Sequence, residues 1–379
     1  MSESESASGG AGCLAGDPYR VMVVDDSAVI RGLLTRSLEK DPGIKVIASV
    51  GNGETAIKAL DRHDIEVIIL DIEMPVMDGL TALPKLLAAR PGIQVIMAST
   101  LTRKNAEVSL RALQMGAADY LPKPSSNSEL TGAGEFQREL IEKVKALAKA
   151  ARPVRPAATL RDVGPTAPVR PVQPARPIVL RKPSAALPRI IAIGSSTGGP
   201  QALLQVLRDM AASVRLPILI TQHMPPTFTT LLAEHIERAT GVPCAEGKDG
   251  EAVTAGRIYL APGSYHMVVE RAGSGSVIRL NQEPPVNFCR PSVDPMLFSL
   301  APIYGASLLT IILTGMGSDG YKGTTEVVRA GGTVIAQDEA TSVVWGMPGA
   351  VATNGLCSAV LPIQEIGSSV RKLVMRSAA

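Results

Sequence analysis

Aromatic residues and net charge are both scarce in this chain. Phenylalanine, tryptophan and tyrosine make up 3% of its 379 residues, too few for the stacking platforms that hold single-stranded nucleic acid. The formal net charge is +3, and the basic residues concentrate in one proline-rich tract instead of a face interleaved with aromatic side chains. We therefore expect no nucleic-acid partner.

Cysteine is also rare, and long apolar runs are missing. The chain has four cysteines, at Cys13, Cys244, Cys289 and Cys357. Because none of them forms a short paired spacing, we expect neither a zinc site nor a disulfide framework. No run of about 18 uninterrupted apolar residues occurs, so we expect no membrane insertion. This composition is typical of a protein of the reducing cytoplasm.

The chain divides at a tract in which proline recurs every few residues. Residues 152–183 keep no helical or strand period, which predicts a semi-rigid, extended linker. Its P-x-x-P spacings leave open a second interpretation, a ligand for an aromatic-lined groove.

These features predict four segments along the chain. Residues 1–18 are small and polar, without the basic start and apolar core of a signal peptide, and we expect a disordered tail. A first domain is predicted at 19–140, a helix end and linker at 141–188, and a second domain at 189–379.

Both predicted domains alternate strand-like and amphipathic segments. "YRVMVVDD", "IKVIASV", "VIILDIE" and "QVIMAST" read as strands of the first domain. In the second, "RIIAIGSS", "LPILITQH", "SLLTIILTG" and "GTVIAQD" repeat the pattern. Such alternation predicts α/β domains, doubly wound around mainly parallel sheets. Short strands broken by glycine and serine at 257–281 predict an inserted antiparallel hairpin.

Acidic residues follow two predicted strands of the first domain. Asp25 and Asp26 end the first strand and Asp71 ends the third. Parallel strands bring these side chains to one edge, where carboxylates close together favour a hard divalent cation such as Mg²⁺. Ser99 and Lys123 would add a hydroxyl and an ammonium, a set that suits phosphoryl transfer to Asp71. Taken singly, each acid could instead cap a helix.

The motifs "VVDDSAVIR", "LDIEMPVMDGL" and "DYLPKP" resemble those of response-regulator receiver domains. The resemblance implies a flavodoxin-like fold, a sensor histidine kinase as phosphodonor, and phosphorylation of Asp71. It further implies Mg²⁺ bound through Asp26 and Asp71 with help from Asp25, and through the backbone carbonyl of Glu73. Ser99 and Lys123 would be its switch pair.

The loop in "IIAIGSSTGGP", residues 190–200, allows three interpretations. A dinucleotide loop lacks the G-x-G-x-x-G spacing and the acid at the end of the next strand. A plain strand-to-helix turn fits, because serine and threonine are common helix caps. A nucleophile turn also fits, because Gly194, Ser196 and Gly198 match G-x-S-x-G.

A serine nucleophile needs a base, and the chain has four histidines. We expect His63 and His235 inside amphipathic helices, and His266 in the hairpin region stays undecided. His223 follows the strand "LPILITQ" and should lie at the same edge as Ser196.

An acid to orient the histidine is available after "SLLTIILTG". Asp319 stands among glycines that allow close backbone approach and leave N–H groups free to face an oxyanion. The chain order Ser, His, Asp differs from the Ser, Asp, His order of α/β-hydrolases, so that superfamily is not assigned.

Five further motifs resemble the catalytic domain of the chemotaxis protein-glutamate methylesterases, from residue 189 to the end: "IAIGSSTGGP", "ITQHMPP", "YLAPG", "RPSVD" and "ILTGMGSDG". The resemblance implies that Ser196 attacks, His223 acts as base and then acid, and Asp319 orients the imidazole. The backbone N–H of Met316 would line the oxyanion hole and Thr197 would assist. No cofactor is implied for this chemistry.

The resemblance also implies substrates and control. They are γ-glutamyl methyl esters on chemoreceptor helices, released as methanol, and certain receptor glutamines that are deamidated. We expect the first domain to obstruct the site until it is phosphorylated. The alternative is a regulator whose second domain only binds a protein partner.

One stretch, "VNFCRPSVD", departs from the family, which often carries a basic residue or histidine where this chain has Phe288 and Cys289. The departure puts substrate docking in doubt. A cysteine nucleophile is disfavoured here, because no histidine at a strand end is obviously paired with Cys289.

Overall fold

The structure is a computed structural model of the whole chain. It describes residues 17–100, 102–123, 133–152, 178–211 and 213–375. Most of the predicted N-terminal tail and of the predicted proline-rich linker lies outside the described residues. Within the described residues, no helix combines the length and apolarity needed to cross a bilayer.

The first domain contains a five-stranded parallel sheet. Its strands are β1 (Tyr19–Val24), β2 (Ile44–Val50), β3 (Val67–Asp71), β4 (Gln94–Ser99) and β5 (Asp119–Pro122). The order β2-β1-β3-β4-β5 is that of flavodoxin-like folds, which confirms the predicted fold class. The central strand β3 is buried along its whole length, as expected for a parallel strand covered on both faces.

Five helices accompany this sheet: α1 (Ala28–Leu38), α2 (Gly53–Leu60), α3 (Gly79–Ala89), α4 (Arg103–Gln114) and α5 (Ala133–Ala151). Side chains of Ser27, Asn52, Asp78 and Thr102 cap the first four by accepting from a backbone N–H three residues on. Helix α5 runs without a break through residue 140, where the sequence placed the end of the first domain.

One expectation about the first domain is wrong. His63 was placed inside an amphipathic helix, but α2 ends at Leu60 and His63 lies in the exposed turn that follows. Residues 61–64 are all polar, so another helical turn directly after Leu60 would have no apolar side chain to bury.

The second domain contains a seven-stranded sheet and a separate two-stranded hairpin. In chain order its strands are β6 (Ile190–Ser195), β7 (Ile218–Gln222), β8 (Cys244–Glu246), β9 (Ile258–Leu260), β10 (His266–Ala272), β11 (Gly275–Asn281), β12 (Leu308–Ile312), β13 (Thr333–Gln337) and β14 (Ala359–Leu361). The large sheet is parallel throughout, with the order β14-β13-β12-β6-β7-β9-β8.

The hairpin β10–β11 is antiparallel, which confirms the predicted insertion. The "IYL" segment of the same stretch, however, joins the parallel sheet as β9 beside β7. Its three residues are fully buried, so this short strand is held by packing.

Six helices cover the second domain: α6 (Gly199–Ala211), α7 (Pro226–Thr240), α8 (Val293–Tyr304), α9 (Tyr321–Arg329), α10 (Met347–Thr353) and α11 (Ile363–Val374). The four central strands β6, β7, β12 and β13 are buried at every position. Because β6 lies between β7 and β12, the loops after all three strands open on one edge of the sheet.

The two domains contact each other through β5 and α4 of the first and α6 and α7 of the second. The rings of Tyr120 and Phe228 stack with centroids 4.2 Å apart. The Gln201 side-chain amide donates to the backbone carbonyl of Ala117 at 3.1 Å, and Arg103 pairs with Glu234 at 3.2 Å. These contacts leave the carboxyl edge of the second sheet facing the first domain.

The glycine of "YLAPG" allows a close backbone approach at this edge. A Cβ on Gly263 would lie 2.5 Å from the carbonyl carbon of Pro225, at the start of α7. Gly263→Ala should therefore push the loop away from α7 and lower the free energy of unfolding by about 1–3 kcal/mol.

Urea unfolding of the full chain measures this change. Gly275→Ala is the matched control in the same domain, because its Cβ would meet only the Ala272 carbonyl oxygen at 3.8 Å. Equal stability of the two variants would contradict the close approach.

Candidate functional site

The acids of the first domain form one cluster at the ends of β1 and β3. Carboxylate oxygens of Asp25, Asp26 and Asp71 all lie within 4.8 Å of one another. The ammonium of Lys123 lies 2.6 Å from both Asp25 and Asp71. The topology therefore brings together four of the side chains singled out in the sequence.

Burial and two neighbouring charges set the pKa of Asp71. Burial raises its pKa, the Lys123 ammonium lowers it, and the nearby Asp25 charge raises it again, with a net raised pKa. For Lys123, burial lowers the pKa, but the two carboxylates outweigh it and the net pKa is raised. The lysine is therefore held charged against both carboxylates.

This oxygen-rich cluster fits a hard divalent cation such as Mg²⁺, which prefers carboxylate, carbonyl and water ligands. A cleft of ≈ 480 Å³ beside it is lined by Asp26 and Glu73. The Glu73 carboxylate pairs with the Lys104 ammonium, with Oε1 and Nζ 3.5 Å apart. A metal contact from Glu73 would therefore come from its backbone.

Ser99 ends β4, the neighbour of β3, and is fully buried. Its hydroxyl lies 3.0 Å from the hydroxyl of Ser109, which donates to the carbonyl of Asn105 within α4. The Ser99 carbonyl also accepts from the Lys123 N–H at 2.8 Å. Ser99 thus links the acidic edge to helix α4, one of the helices that contact the second domain.

The loop of Ser196 connects β6 to α6 and is fixed by a glutamine. Gln222 accepts from the Ser195 hydroxyl at 2.7 Å and donates to the Ser196 carbonyl at 2.9 Å. A Cβ on Gly199 would overlap the Gln222 amide and lie 2.9 Å from the Ser195 Cβ. Only glycine therefore allows the tight turn that presents the half-buried Ser196 at the edge.

His223 follows β7 immediately, and β7 pairs with β6. Its Nε2 lies 2.7 Å from Asp319 Oδ2, and its Nδ1 lies 3.3 Å from the sulfur of Cys289. Burial disfavours the charged imidazolium, but the Cys289 sulfur and the Asp319 carboxylate outweigh it and raise the pKa of His223 to about 10.

Asp319 is 2% exposed, yet it remains the charged partner. Oδ1 accepts from the Ser292 hydroxyl at 2.7 Å and from the Asn287 amide at 2.8 Å, and Oδ2 accepts from the Val293 N–H at 2.6 Å. Burial raises the pKa of Asp319, but these bonds and His223 lower it to about 2.

Ser196, Thr197, His223, Met316 and Asp319 line one cleft of ≈ 1540 Å³. Both nitrogens of the imidazole have partners other than Ser196 in the described part of the chain. The backbone N–H of Met316 donates to no acceptor among the described residues, so it is available to a ligand in the cleft.

The expectation that no histidine at a strand end is paired with Cys289 is wrong. Cys289 lies 66 residues from His223 in sequence, and the turn that carries it is folded back over the edge. Asn287 and Phe288 have left-handed backbone, with φ of 52° and 63°. Asparagine is one of the residues enriched in this conformation, but the residue type of Phe288 does not predict it.

Other residues that shape the site were also missed. Asn287 and Ser292 hold Asp319, and Gln222 holds the serine loop. Gln222 and Ser292 stand inside motifs quoted for the family resemblance, which was the signal available, whereas Asn287 stands in the stretch that departs from the family. Their roles depend on contacts between distant segments, which spacing does not reveal.

The first domain closes one side of the cleft. Thr197 donates to Asp119 Oδ2 at 2.6 Å, with both residues buried. The Arg138 guanidinium lies 3.8 Å from the ring centroid of Phe288, a cation–π contact. Residues from β5 and α5 therefore reach the loop next to Ser196 and the rim at Phe288.

Comparisons with known proteins agree with both domains. A family model described as response regulator receiver domain matches residues 21–134, and one described as CheB methylesterase matches residues 191–370. The protein-glutamate methylesterase/protein-glutamine glutaminase 1 of Paramagnetospirillum magneticum is 60% identical over 372 residues, covering 96% of this chain and 98% of its own. The chain belongs to the CheB methylesterase family.

Two further CheB-family proteins are similar to this chain. The protein-glutamate methylesterase/protein-glutamine glutaminase of Azospirillum brasilense is 58% identical over 377 residues, covering 97% of this chain and 95% of its own. The crystal structure of the Thermotoga maritima CheB methylesterase catalytic domain is 39% identical, with a TM-score of 0.48, covering 50% of this chain and 100% of its own.

The hydrogen bond between Asp319 and His223 makes a prediction for the pKa of the imidazole. Asp319→Asn removes the carboxylate that favours the imidazolium, so the pKa of His223 should fall and the ring should lose its proton at lower pH. A proton NMR titration of the full chain measures the pKa of His223 directly.

His235 is the internal control, because burial and Arg238 lower its pKa and Asp319 has no part in it. If neither the His223 nor the His235 titration changes in Asp319→Asn, the proposed effect of the Asp319 carboxylate on His223 is contradicted.

Proposed function

We propose that this protein is a phosphorylation-controlled protein-glutamate methylesterase and protein-glutamine glutaminase. The observation that carries the proposal is the partly buried His223–Asp319 hydrogen bond at the edge where Ser196 is presented. A histidine oriented by a buried carboxylate beside a serine hydroxyl is the arrangement needed for acyl transfer.

In the first half of the proposed reaction, the Ser196 hydroxyl gives its proton to His223 and its oxygen bonds to the ester carbonyl carbon. The developing oxyanion would be held by the backbone N–H of Met316, with Thr197 assisting. The imidazolium then gives the proton to the methoxy oxygen, and methanol leaves. Asp319 stays ionised and stabilises the imidazolium throughout.

In the second half, a water molecule gives a proton to His223 and its oxygen bonds to the acyl carbon. The Ser196 oxygen leaves with that proton, and the product is a glutamate side chain. A glutamine amide would follow the same path, with ammonia released in place of methanol, which accounts for the second activity.

Control is proposed to come from phosphorylation of Asp71 by a sensor histidine kinase. Asp25, Asp26, Asp71 and the backbone carbonyl of Glu73 would hold Mg²⁺, which would supply positive charge to neutralise phosphoryl oxygens. Lys123 would pair with the phosphorylated Asp71 and the Ser99 hydroxyl would turn to it, leaving Ser109. Both are suitably placed at the ends of their strands.

The receiver domain is proposed to inhibit by occupying the cleft. The Thr197–Asp119 hydrogen bond ties up a residue next to the nucleophile, and Arg138 covers the rim at Phe288. A chemoreceptor helix could not reach Ser196 past these groups. Residues 19–140 and 189–379 are proposed as the regulatory and catalytic units, joined by the linker at 141–188.

Ser196→Ala should lower the rate of methanol release from methylated chemoreceptor by about 10⁴-fold or more, because no other side chain replaces the attacking hydroxyl. Phosphorylation by acetyl phosphate should be unaffected, since Asp71 lies in the other domain. Asp71→Asn is the reciprocal control, which should lose phosphorylation and keep basal hydrolysis. Retained turnover in Ser196→Ala would end the assignment.

Deleting residues 1–188 should raise basal hydrolysis by about tenfold or more. The open state of the cleft, populated at about a few per cent in the unphosphorylated full chain, becomes the only state of the fragment. Methanol release by the fragment is compared with that of the unphosphorylated full chain. An equal or lower rate in a folded fragment would argue against obstruction.

A further inference from the structure

Cys289 is held in place by its own turn. Its N–H donates to the carbonyl of Val286 and its carbonyl accepts from the N–H of Val286, at 3.0 and 3.1 Å. The two residues between them have left-handed backbone, and the first, Asn287, is tied to Asp294 and Asp319 through its side-chain amide. The half-buried thiol therefore points at His223 from a rigid support.

Both nitrogens of the His223 imidazole have a partner in the described part of the chain. Nε2 belongs to Asp319, so Nδ1 is the only nitrogen left to serve Ser196. The Cys289 sulfur lies 3.3 Å from that same Nδ1, within reach of a hydrogen bond to sulfur. The sulfur, which accepts from Nδ1–H of the protonated ring, and the serine hydroxyl, which donates to Nδ1 of the neutral ring, therefore compete for the same nitrogen.

We propose that Cys289 is a positioning residue that competes with Ser196 for Nδ1 of His223 and holds the imidazole in a resting arrangement. The serine receives its base only when the thiol contact is given up. The inference rests on the proposed role of His223 as base. It adds a restraint that acts within the catalytic domain, apart from the receiver domain.

The competition has a consequence for pH dependence. The neighbouring sulfur helps to raise the pKa of His223, and a raised pKa keeps the ring protonated and unable to act as a base until higher pH. Removing the sulfur should therefore move the rising limb of the rate to lower pH.

The other charged groups that line the same cleft stay unchanged in such a variant. They are Asp319 and Arg290 from the catalytic domain, and Asp41, Asp119, Glu135, Arg138, Glu139, Glu142, Lys143 and Lys145 from the receiver domain.

The test is Cys289→Ala in the full chain, phosphorylated with acetyl phosphate and assayed for methanol release across pH. We expect kcat/KM at neutral pH to rise about twofold to tenfold, the range of one hydrogen bond. The rising limb should move to lower pH. Cys289→Ser keeps a hydrogen-bonding group at the position and should fall between the two proteins.

NMR titration of the His223 ring gives a readout that does not depend on turnover. The pKa of His223 should be lower in Cys289→Ala than in the parent chain. Cys357→Ala is the matched control, because this buried free cysteine lies in the core of the same domain and should leave His223 unchanged.

An unchanged or lower kcat/KM together with an unchanged His223 titration in folded Cys289→Ala would overturn the proposal. Complete loss of turnover in Cys289→Ala would also overturn it, because the thiol would then be needed for the reaction. Failure of the esterase assignment is separate, since it would show as retained turnover in Ser196→Ala.

Discussion

The hydrogen bond between Asp319 and His223 is the contact on which the proposed chemistry of the catalytic domain depends. A carboxylate that is 2% exposed is costly to keep charged unless donors surround it. Ser292, Asn287 and the N–H of Val293 supply them. Ordering these donors costs conformational entropy, but it fixes the position of the carboxylate. The fixed carboxylate then decides which imidazole nitrogen remains for other partners.

The same edge that gathers these groups also receives the receiver domain. Asp119 reaches Thr197 in a buried hydrogen bond, and Lys143 of α5 lies 3.3 Å from the same carboxylate. Asp119 belongs to β5, the neighbour of the β4 strand that ends in Ser99. The edge of the proposed phosphorylation site and the proposed inhibitory contact therefore belong to adjacent strands of one sheet, and a shift at one can reach the other over a short, packed distance.

Much of the architecture was predictable because long buried strands are continuous apolar runs. The strands that end in Asp71 and Ser99, the strand before Ser196 and the hairpin all follow from such runs and from the turns between them. The three-residue strands β8 and β14 were not predicted, since three residues carry no usable period. The strand β9 was expected as part of the hairpin region and not in the parallel sheet. The full extent of α5 and the exposed turn at His63 depended on packing that residue types alone do not specify.

By itself the sequence determined which side chains stand at strand ends, and parallel topology then sends Asp25, Asp71, Ser196, His223 and Asp319 to the edges of their two sheets. It also supplied the motifs that indicate the family. Only the tertiary structure decided the pairings across those edges: Asp119 with Thr197, Arg138 with Phe288, and Cys289 with the imidazole. The reason is physical, because such contacts join segments tens of residues apart or more, and their geometry is set by how loops and domains pack.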